Sequence, residues 1–154
     1  MNLYQIRNVL AQGKKLIDLP LCVTFYARVS TDHEEQLNSL ENQVMYFENY
    51  IKSQANWTFV PGYVDEGISG TSVNKRDNFL KMINDAKNSK FNLILTKEIS
   101  RFSRNTVDSI KYTQELLQEN VGVFFLNDNI NTFETDSELR LTIMSSIAQD
   151  EIRK

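Results

Sequence analysis

The stretch CVTFYARV at residues 22–29 decides the fold, because it is short, apolar and rich in β-branched and aromatic side chains. Such a run predicts a β-strand, and the absence of polar alternation predicts a central strand buried on both faces. Similar stretches predict further strands at 58–64, 91–96 and 121–126. Pro61 cannot donate a ladder hydrogen bond, so we expect it at a sheet edge or a bulge.

Between these strands, apolar residues recur at helical spacing. The predicted helical faces lie at 37–51, after a capping-box pair at Thr31 and Glu34, at 79–86, near 105–119 and from 135 onward. The order β-α-β-α-β-α-β-α predicts an α/β fold with a mostly parallel central sheet flanked by helices. Ligands of such sheets bind beyond the carboxyl ends of the strands. The segments expected there are ARVSTD, DEGISGTSVNKR and TKEISRFSR.

Composition limits the possible functions. The chain has 154 residues, of which 41% are hydrophobic and 24% charged, as expected for one globular domain. Cys22 and His33 are the only residues of their types, which excludes an internal disulfide and a zinc site built from several cysteines or histidines. No apolar stretch approaches the ~20 residues of a membrane span, and the N-terminus lacks a secretory signal pattern. We therefore expect a cytoplasmic protein with no membrane partner.

The chain divides into three predicted segments. Residues 1–20 are interpreted as an N-terminal extension, with a packed N-terminal arm as the alternative, and residues 21–134 as the α/β core. Residues 135–154 begin with a capping box and carry an apolar helical face that includes Leu139 and Ile143. No Gly, Asn or Pro ends this helix, so we interpret it as the start of a longer helix.

Arginines concentrate in the three segments after the strands. Four of the seven arginines lie there: Arg28, Arg76, Arg101 and Arg104. The planar guanidinium matches phosphate oxygens, and four such cations on one rim would repel one another unless an anion lay between them. The alternative interpretation is a set of solvated arginines in scattered ion pairs.

Ser30 follows Arg28 by two residues, which places both on one side of the strand if it extends that far. A hydroxyl beside an arginine and the start of a helix is a candidate nucleophile for phosphoryl transfer. The alternative is that Ser30 or Thr31 only caps the following helix.

These residues belong to motifs that resemble the serine recombinases, the family of resolvases, invertases and large serine integrases and transposases. The matching blocks are YARVSTD at 26–32, SLENQ at 39–43, DEGISGTS at 65–72 with Arg76 after it, TKEISRFSRNT at 96–106 and SSIAQDEIRK at 145–154. Small resolvases have an aspartate before the first arginine of the TKEISRFSRNT block, whereas this chain has Ser100. That departure suggests the large branch of the family.

The resemblance implies a resolvase-type catalytic domain and a role for each matched residue. Ser30 would be the nucleophile that forms a 5′-phosphoserine link with DNA. Gln43 and Asp65 would be supporting residues. The residues implied to bind the phosphate and stabilise the transition state are Arg28, Arg76, Arg101 and Arg104.

The resemblance further implies site-specific recombination of a bacterial or phage mobile element, by integration, transposition or a related reaction. No metal and no ATP are expected, because arginines neutralise the phosphate and the covalent link conserves bond energy. The implied partners are double-stranded DNA, bound mainly through a region beyond residue 154, and further copies of the protein, from dimer to synaptic tetramer. Such a region would account for the net charge of −3, since nucleic-acid-binding proteins usually carry a basic face.

Two other functions remain open from the residues alone. A phosphatase-like or nucleotide-hydrolysing α/β enzyme would also use arginines around a serine at the end of a strand. A recombinase-like module without catalytic activity could serve assembly or regulation.

Overall fold

The computed structural model describes residues 1–30, 34–67, 76–103 and 105–144, with residues 29, 30, 34–39 and 67 described by their backbone alone. The helices are α1 (Leu3–Ala11), α2 (Glu34–Lys52), α3 (Asp77–Ala86), α4 (Ile99–Phe102), α5 (Thr106–Gln118) and α6, described over 137–144. The strands are β1 (Cys22–Ser30), β2 (Thr58–Phe59), β3 (Tyr63–Gly67), β4 (Leu93–Thr96), β5 (Gly122–Phe125) and β6 (Ile130–Asn131). No helix among the described residues is long and apolar enough to cross a membrane.

Strand β1 lies at the centre of a mostly parallel sheet. It pairs in parallel with β4 on one side and with both β2 and β3 on the other. β5 pairs in parallel with β4, and β6 closes the sheet as an antiparallel edge strand. The predicted fold class is confirmed.

Each face of the sheet has its own apolar core, because side chains alternate along a strand. Tyr26 of β1 packs on one face with residues of α3 and α5, such as Phe79 and Leu116. Its neighbours Phe25 and Ala27 pack on the other face, with α2. A strand covered on both faces explains why residues 22–29 are nearly all apolar.

The prediction of one strand over 58–64 is wrong, because two short strands are separated by residues 60–62. Pro61 lies in this gap, where its missing N–H costs no ladder bond, and its carbonyl accepts a hydrogen bond from Thr24 Oγ1 at 3.0 Å. Gly62 follows, and a Cβ atom at that position would lie 2.3 Å from the Phe25 ring. The backbone therefore passes against a buried aromatic side chain at the break.

Three further boundaries differ from the sequence prediction. Residues 65–67, expected in a loop, extend β3, and residues 99–102, also expected in a loop, form α4. The segment after β5, expected as loop, contains β6. The stretches that were predicted wrongly, 65–67, 99–102 and 130–131, each have four residues or fewer. Stretches this short show no clear periodicity in sequence.

The first 20 residues pack against the face of the sheet that also holds α2. Ile6 is fully buried in that core, together with Leu16 and Leu19. Arg7 Nε donates to the carbonyl oxygen of Phe133 at 2.7 Å, and Trp57 Nε1 donates to the carbonyl oxygen of Leu16 at 3.1 Å. The structure therefore shows the packed arm.

Helix α6 places its predicted apolar face in solvent over the described residues. Leu139 and Ile143 are 65% and 50% exposed, whereas Leu141 is buried in the core. The remaining residues of that predicted face, from 145 onward, lie outside the described part of the chain.

We predict that Ile6→Ala lowers the free energy of unfolding by about 2–5 kcal/mol, because it leaves a cavity under the arm. Tyr4→Ala, on the same helix at 80% exposure, should change it by less than about 0.5 kcal/mol. Urea denaturation measures both variants. Equal effects of the two substitutions would contradict packing of the arm on the core.

We also predict that Asp85 stabilises the fold in a pH-dependent way. Tyr63 Oη donates to Asp85 Oδ2 at 2.5 Å, and this bond, aided by Lys90, holds the pKa of Asp85 below its ordinary value. The stabilisation is full above the ordinary aspartate pKa of about 4 and is lost as pH falls through the lower pKa of the folded protein.

The difference in unfolding free energy between the parent and Asp85→Asn should therefore narrow on acidification below about pH 4. Tyr63→Phe removes the same bond and should reduce the same pH dependence. A difference between parent and Asp85→Asn that stays constant with pH would refute the prediction.

Candidate active site

The carboxyl end of β1 meets helix α4 through two hydrogen bonds that run in opposite directions. Arg28 Nη2 donates to the carbonyl oxygen of Ser100 at 2.8 Å. Arg101 Nη1 donates to the carbonyl oxygen of Arg28 at 3.1 Å. Since β1 and β4 are parallel neighbours, their carboxyl ends lie at the same edge of the sheet, and this brings Arg28 of β1 close to Arg101, which follows β4.

Helix α4 is a single turn held by two apolar anchors. Ile99 and Phe102 are buried in the core under α3 and α5, and Ser103 N donates to the carbonyl oxygen of Ile99 at 2.9 Å. With these two side chains pointing inward, Ser100 and Arg101 remain partly exposed. The short helix thus presents the carbonyl group of Ser100 and the side chain of Arg101 toward β1.

Arg76, which directly precedes α3, joins the same group. Its guanidinium lies 3.8 Å from the centre of the Phe79 ring and donates from Nη2 to the carbonyl oxygen of Phe102. Its Nε donates to Tyr26 Oη at 3.5 Å. Stacking on an aromatic face suits the planar, weakly hydrated guanidinium and leaves its positive charge in place.

Asp65 is buried and accepts three hydrogen bonds from the protein. The donors are Tyr26 Oη at 2.7 Å and the backbone N–H groups of Asn78 and Phe79, each at 3.0 Å. The last two are N–H groups at the start of α3, which have no partner within the helix. Asp65 therefore fastens the beginning of α3, and with it Arg76, to the sheet.

Tyr26 is the residue of this network that the sequence analysis did not single out. Its hydroxyl donates to Asp65 and accepts from Arg76, so it connects the buried carboxylate with the cation. Burial raises the pKa of Tyr26, while the charge of Arg76 opposes that rise. The signal was available, because Tyr26 precedes Arg28 by two residues and strand alternation places both on one face.

The charge around Arg101 is only partly balanced. Glu98 Oε1 lies 3.6 Å from Arg101 Nε, which is too far for a hydrogen bond. Arg101 Nε is buried and has no hydrogen-bond partner among the described residues. A guanidinium with an unused buried donor, beside two further guanidiniums, makes this edge of the sheet suited to an anion.

The structure brings together three of the predicted site residues, Arg28, Arg76 and Arg101, and connects Asp65 to them through Tyr26. Ser30 ends β1, where its backbone pairs with Gly67, while its side chain lies outside the described residues. Arg104 also lies outside them. Gln43 is partly buried on α2, and its predicted supporting role stays a prediction.

Metal-ligating side chains form no cluster in the described part of the chain. Over 1–30, 34–67, 76–103 and 105–144, no group of three or more His, Cys, Asp and Glu residues is arranged to hold a metal ion.

Comparison with solved structures agrees with this architecture. The crystal structure of a resolvase family site-specific recombinase from Streptococcus pneumoniae is 28% identical, with a TM-score of 0.68, and the match covers 86% of this chain and 91% of the other. The N-terminal catalytic domain of TP901-1 integrase is 27% identical, with a TM-score of 0.54, over 85% of this chain and 96% of that domain.

Curated sequences give the same result. A resolvase/recombinase from Pseudomonas putida is 30% identical over 126 residues, 82% of this chain and 62% of its own length. A transposon Tn3 resolvase from Escherichia coli is 31% identical over 130 residues, 84% of this chain and 63% of its own length. The chain thus spans less than two thirds of these relatives. The model of the resolvase N-terminal domain family matches residues 23–154, and the chain belongs to that family.

Proposed function

We propose that this chain is the catalytic domain of a serine-type, site-specific DNA recombinase. The observation that carries the proposal is the arginine network, in which Arg28 and Arg101 bond reciprocally beside the strand that ends at Ser30, with Arg76 bonded to the same short helix. Membership in the resolvase N-terminal domain family supports it.

In the proposed reaction, the Ser30 hydroxyl oxygen attacks the phosphorus of a DNA backbone phosphodiester. The new bond joins serine to the 5′-phosphate, the bond from phosphorus to the 3′-oxygen breaks, and the 3′-oxygen leaves as a hydroxyl. Serine loses one proton and the 3′-oxygen gains one, so the step is balanced. After strand exchange, a 3′-hydroxyl attacks the phosphoserine and releases Ser30.

The proposed role of Arg28, Arg76, Arg101 and Arg104 is to bind this phosphate and stabilise the charge of the transition state. Phosphoryl transfer depends mainly on positioning and electrostatic stabilisation, which preorganised guanidinium groups supply. The covalent link conserves the energy of the phosphodiester, so we propose that neither ATP nor a metal is required. Asp65 supports the site by holding Arg76 through Tyr26 and α3, and we keep Gln43 as a second supporting residue.

The proposed partners are double-stranded DNA and further copies of the protein, from dimer to synaptic tetramer. The exposed apolar side chains of Leu139 and Ile143 on α6 support self-association. The net charge of −3 gives this chain no overall attraction for DNA, so we propose that most of the affinity comes from protein beyond these 154 residues. We propose that the protein acts in the cytoplasm on the DNA of a bacterial or phage mobile element.

We predict that Ser30→Ala abolishes a covalent protein–DNA adduct. The protein produced from its complete reading frame is incubated with sheared genomic DNA of its source cells and denatured, and the covalently bound DNA is isolated. Nuclease digestion and mass spectrometry then identify the modified residue. The parent protein should carry a 5′-phosphonucleotide on Ser30, because only that oxygen is proposed to attack phosphorus.

Ser53→Ala, at an exposed position after α2, serves as the matched control and should form the adduct at the parent rate. An adduct that persists in Ser30→Ala would refute the assignment of the nucleophile. Hydrolysis of small phosphoesters without any DNA adduct would instead favour a phosphatase-like enzyme.

We predict that Arg28→Lys slows adduct formation by about 10²-fold or more, because an ammonium cannot replace two donors aimed at one phosphate. The rate is measured by quenching the same reaction over time. Arg7→Lys is the matched control, since Arg7 also donates to a backbone carbonyl but lies in the N-terminal arm. A near-parental rate for Arg28→Lys would argue against two-donor binding by Arg28.

A further inference from the structure

The segments that follow β4 and β5 run side by side beyond the end of the sheet. Leu126 N donates to the carbonyl oxygen of Thr96 at 3.0 Å, and Asn127 N donates to that of Lys97 at 2.8 Å. The next contact uses a side chain, because Asp128 Oδ2 accepts a hydrogen bond from Ile99 N at 3.1 Å. The turn between β5 and β6 thereby reaches the first residue of α4.

This contact caps the start of α4 from a distant part of the chain. The first N–H groups of a helix have no partner within the helix, and Glu98, the residue at the N-cap position, makes no side-chain capping bond. Helix α4 has four residues, so few internal hydrogen bonds hold it. Besides the two buried anchors Ile99 and Phe102, the bond to Asp128 therefore fixes the first N–H group of this turn.

The orientation of α4 matters because its backbone holds the arginines. The carbonyl oxygen of Ser100 accepts from Arg28, and that of Phe102 accepts from Arg76. Arg101 is itself a residue of α4 and donates back to β1. A rotation of this one turn would move all three guanidinium groups together.

The turn that carries Asp128 is held from its other side as well. Asn129 adopts a left-handed backbone conformation, with φ of 51°, and its carbonyl oxygen accepts from Arg140 Nη2 of α6 at 2.8 Å. Arg140 Nη1 also lies 3.3 Å from a carboxylate oxygen of Glu134. Asp128 thus projects from a turn that is fixed against α6.

The environment of Asp128 does not favour its charge. Burial, with a contribution from the charge of Glu98, raises the pKa of Asp128 above its ordinary value, and the bond from Ile99 N opposes the rise. A carboxylate whose ionised form is disfavoured by its surroundings adds little to stability at neutral pH. Its hydrogen bond to α4 is the contribution that the geometry does show.

We propose that Asp128 is a positioning residue that holds α4, and through it the guanidinium groups of Arg28, Arg76 and Arg101, in the arrangement that binds the phosphate. The proposal deepens the proposed function and rests on it for the identity of the anion. Its geometric content, that Asp128 orients three arginines through α4, can be tested separately.

The first experiment records the Nε–H signals of the arginines by NMR on the 154-residue chain, for the parent and for Asp128→Ala. The signals of Arg28, Arg76 and Arg101 should shift and exchange faster with water in the variant, because their acceptors on α4 move. Asn127→Ala is the matched control, because this neighbouring side chain is exposed and the bond from Asn127 to Lys97 is made by the backbone. It should leave all three signals in place.

The conservative variant Asp128→Asn separates positioning from charge. Its amide oxygen can accept the same bond from Ile99 N, so the parental arginine signals should return and the unfolding midpoint should not fall. In the complete protein, Asp128→Ala should slow adduct formation by about 10-fold or more, and Asp128→Asn should restore it.

Unchanged arginine signals in Asp128→Ala would overturn the proposal, whatever the activity does. If that variant does not fold, Asp128→Asn is compared with Asp128→Gln, which moves the acceptor by one methylene. Identical arginine signals in those two variants would also overturn the proposal. Shifted signals combined with no adduct in the parent protein would uphold the positioning role and reject the recombinase function.

Discussion

Strand β1 is hydrogen-bonded to β4 on one side and to β2 and β3 on the other, and each of these pairs is parallel. Parallel pairing aligns the carboxyl ends of neighbouring strands at one edge of the sheet. The carboxyl ends of β1, β3 and β4 therefore lie side by side, although they are tens of residues apart in the chain. The convergence of Arg28, Arg76 and Arg101 follows from this alignment, and without it each would be an ordinary surface arginine.

The convergence of cations also needs acceptors, and the short helix α4 provides them. Its buried Ile99 and Phe102 fix it to the core, and two of its carbonyl groups accept from arginines that come from other elements. Backbone carbonyls orient guanidinium groups without neutralising them, whereas carboxylates would cancel the charge that an anion requires. The carboxylate of Asp65 is instead occupied by Tyr26 and the start of α3.

The N-terminal arm completes the opposite face of the sheet. The match to the family model begins at residue 23, yet Ile6, Leu16 and Leu19 before it are buried in the core of that face. The arm also contacts both ends of the β5–β6 region, since Leu3 N donates to Asn120 Oδ1 and Arg7 Nε to the Phe133 carbonyl oxygen. The arm therefore contributes to the same part of the fold from which α6 departs.

Local patterns along the chain were enough to predict the α/β class, the central position of β1 and its end to within one residue of the observed Ser30. Those features depend on local patterns, namely short apolar runs for the strands and apolar residues at helical spacing for the helices. The split of 58–64 into β2 and β3 and the helix α4 were not predictable in the same way. They depend on Phe25 against Gly62 and on the burial of Ile99 and Phe102, which are contacts between distant residues.

The sequence by itself therefore determined which residues could form the site: the arginines at the strand ends, the serine two residues after Arg28, and the motifs that resemble the serine recombinases. Only the tertiary structure decided which atoms meet. Tyr26 joins Asp65 to Arg76, and Asp128 caps α4, across separations of 29 to 50 residues. The physical reason is that hydrogen-bond partners are selected by the packing of whole elements, so their pairing has no signature in the spacing of residues along the chain.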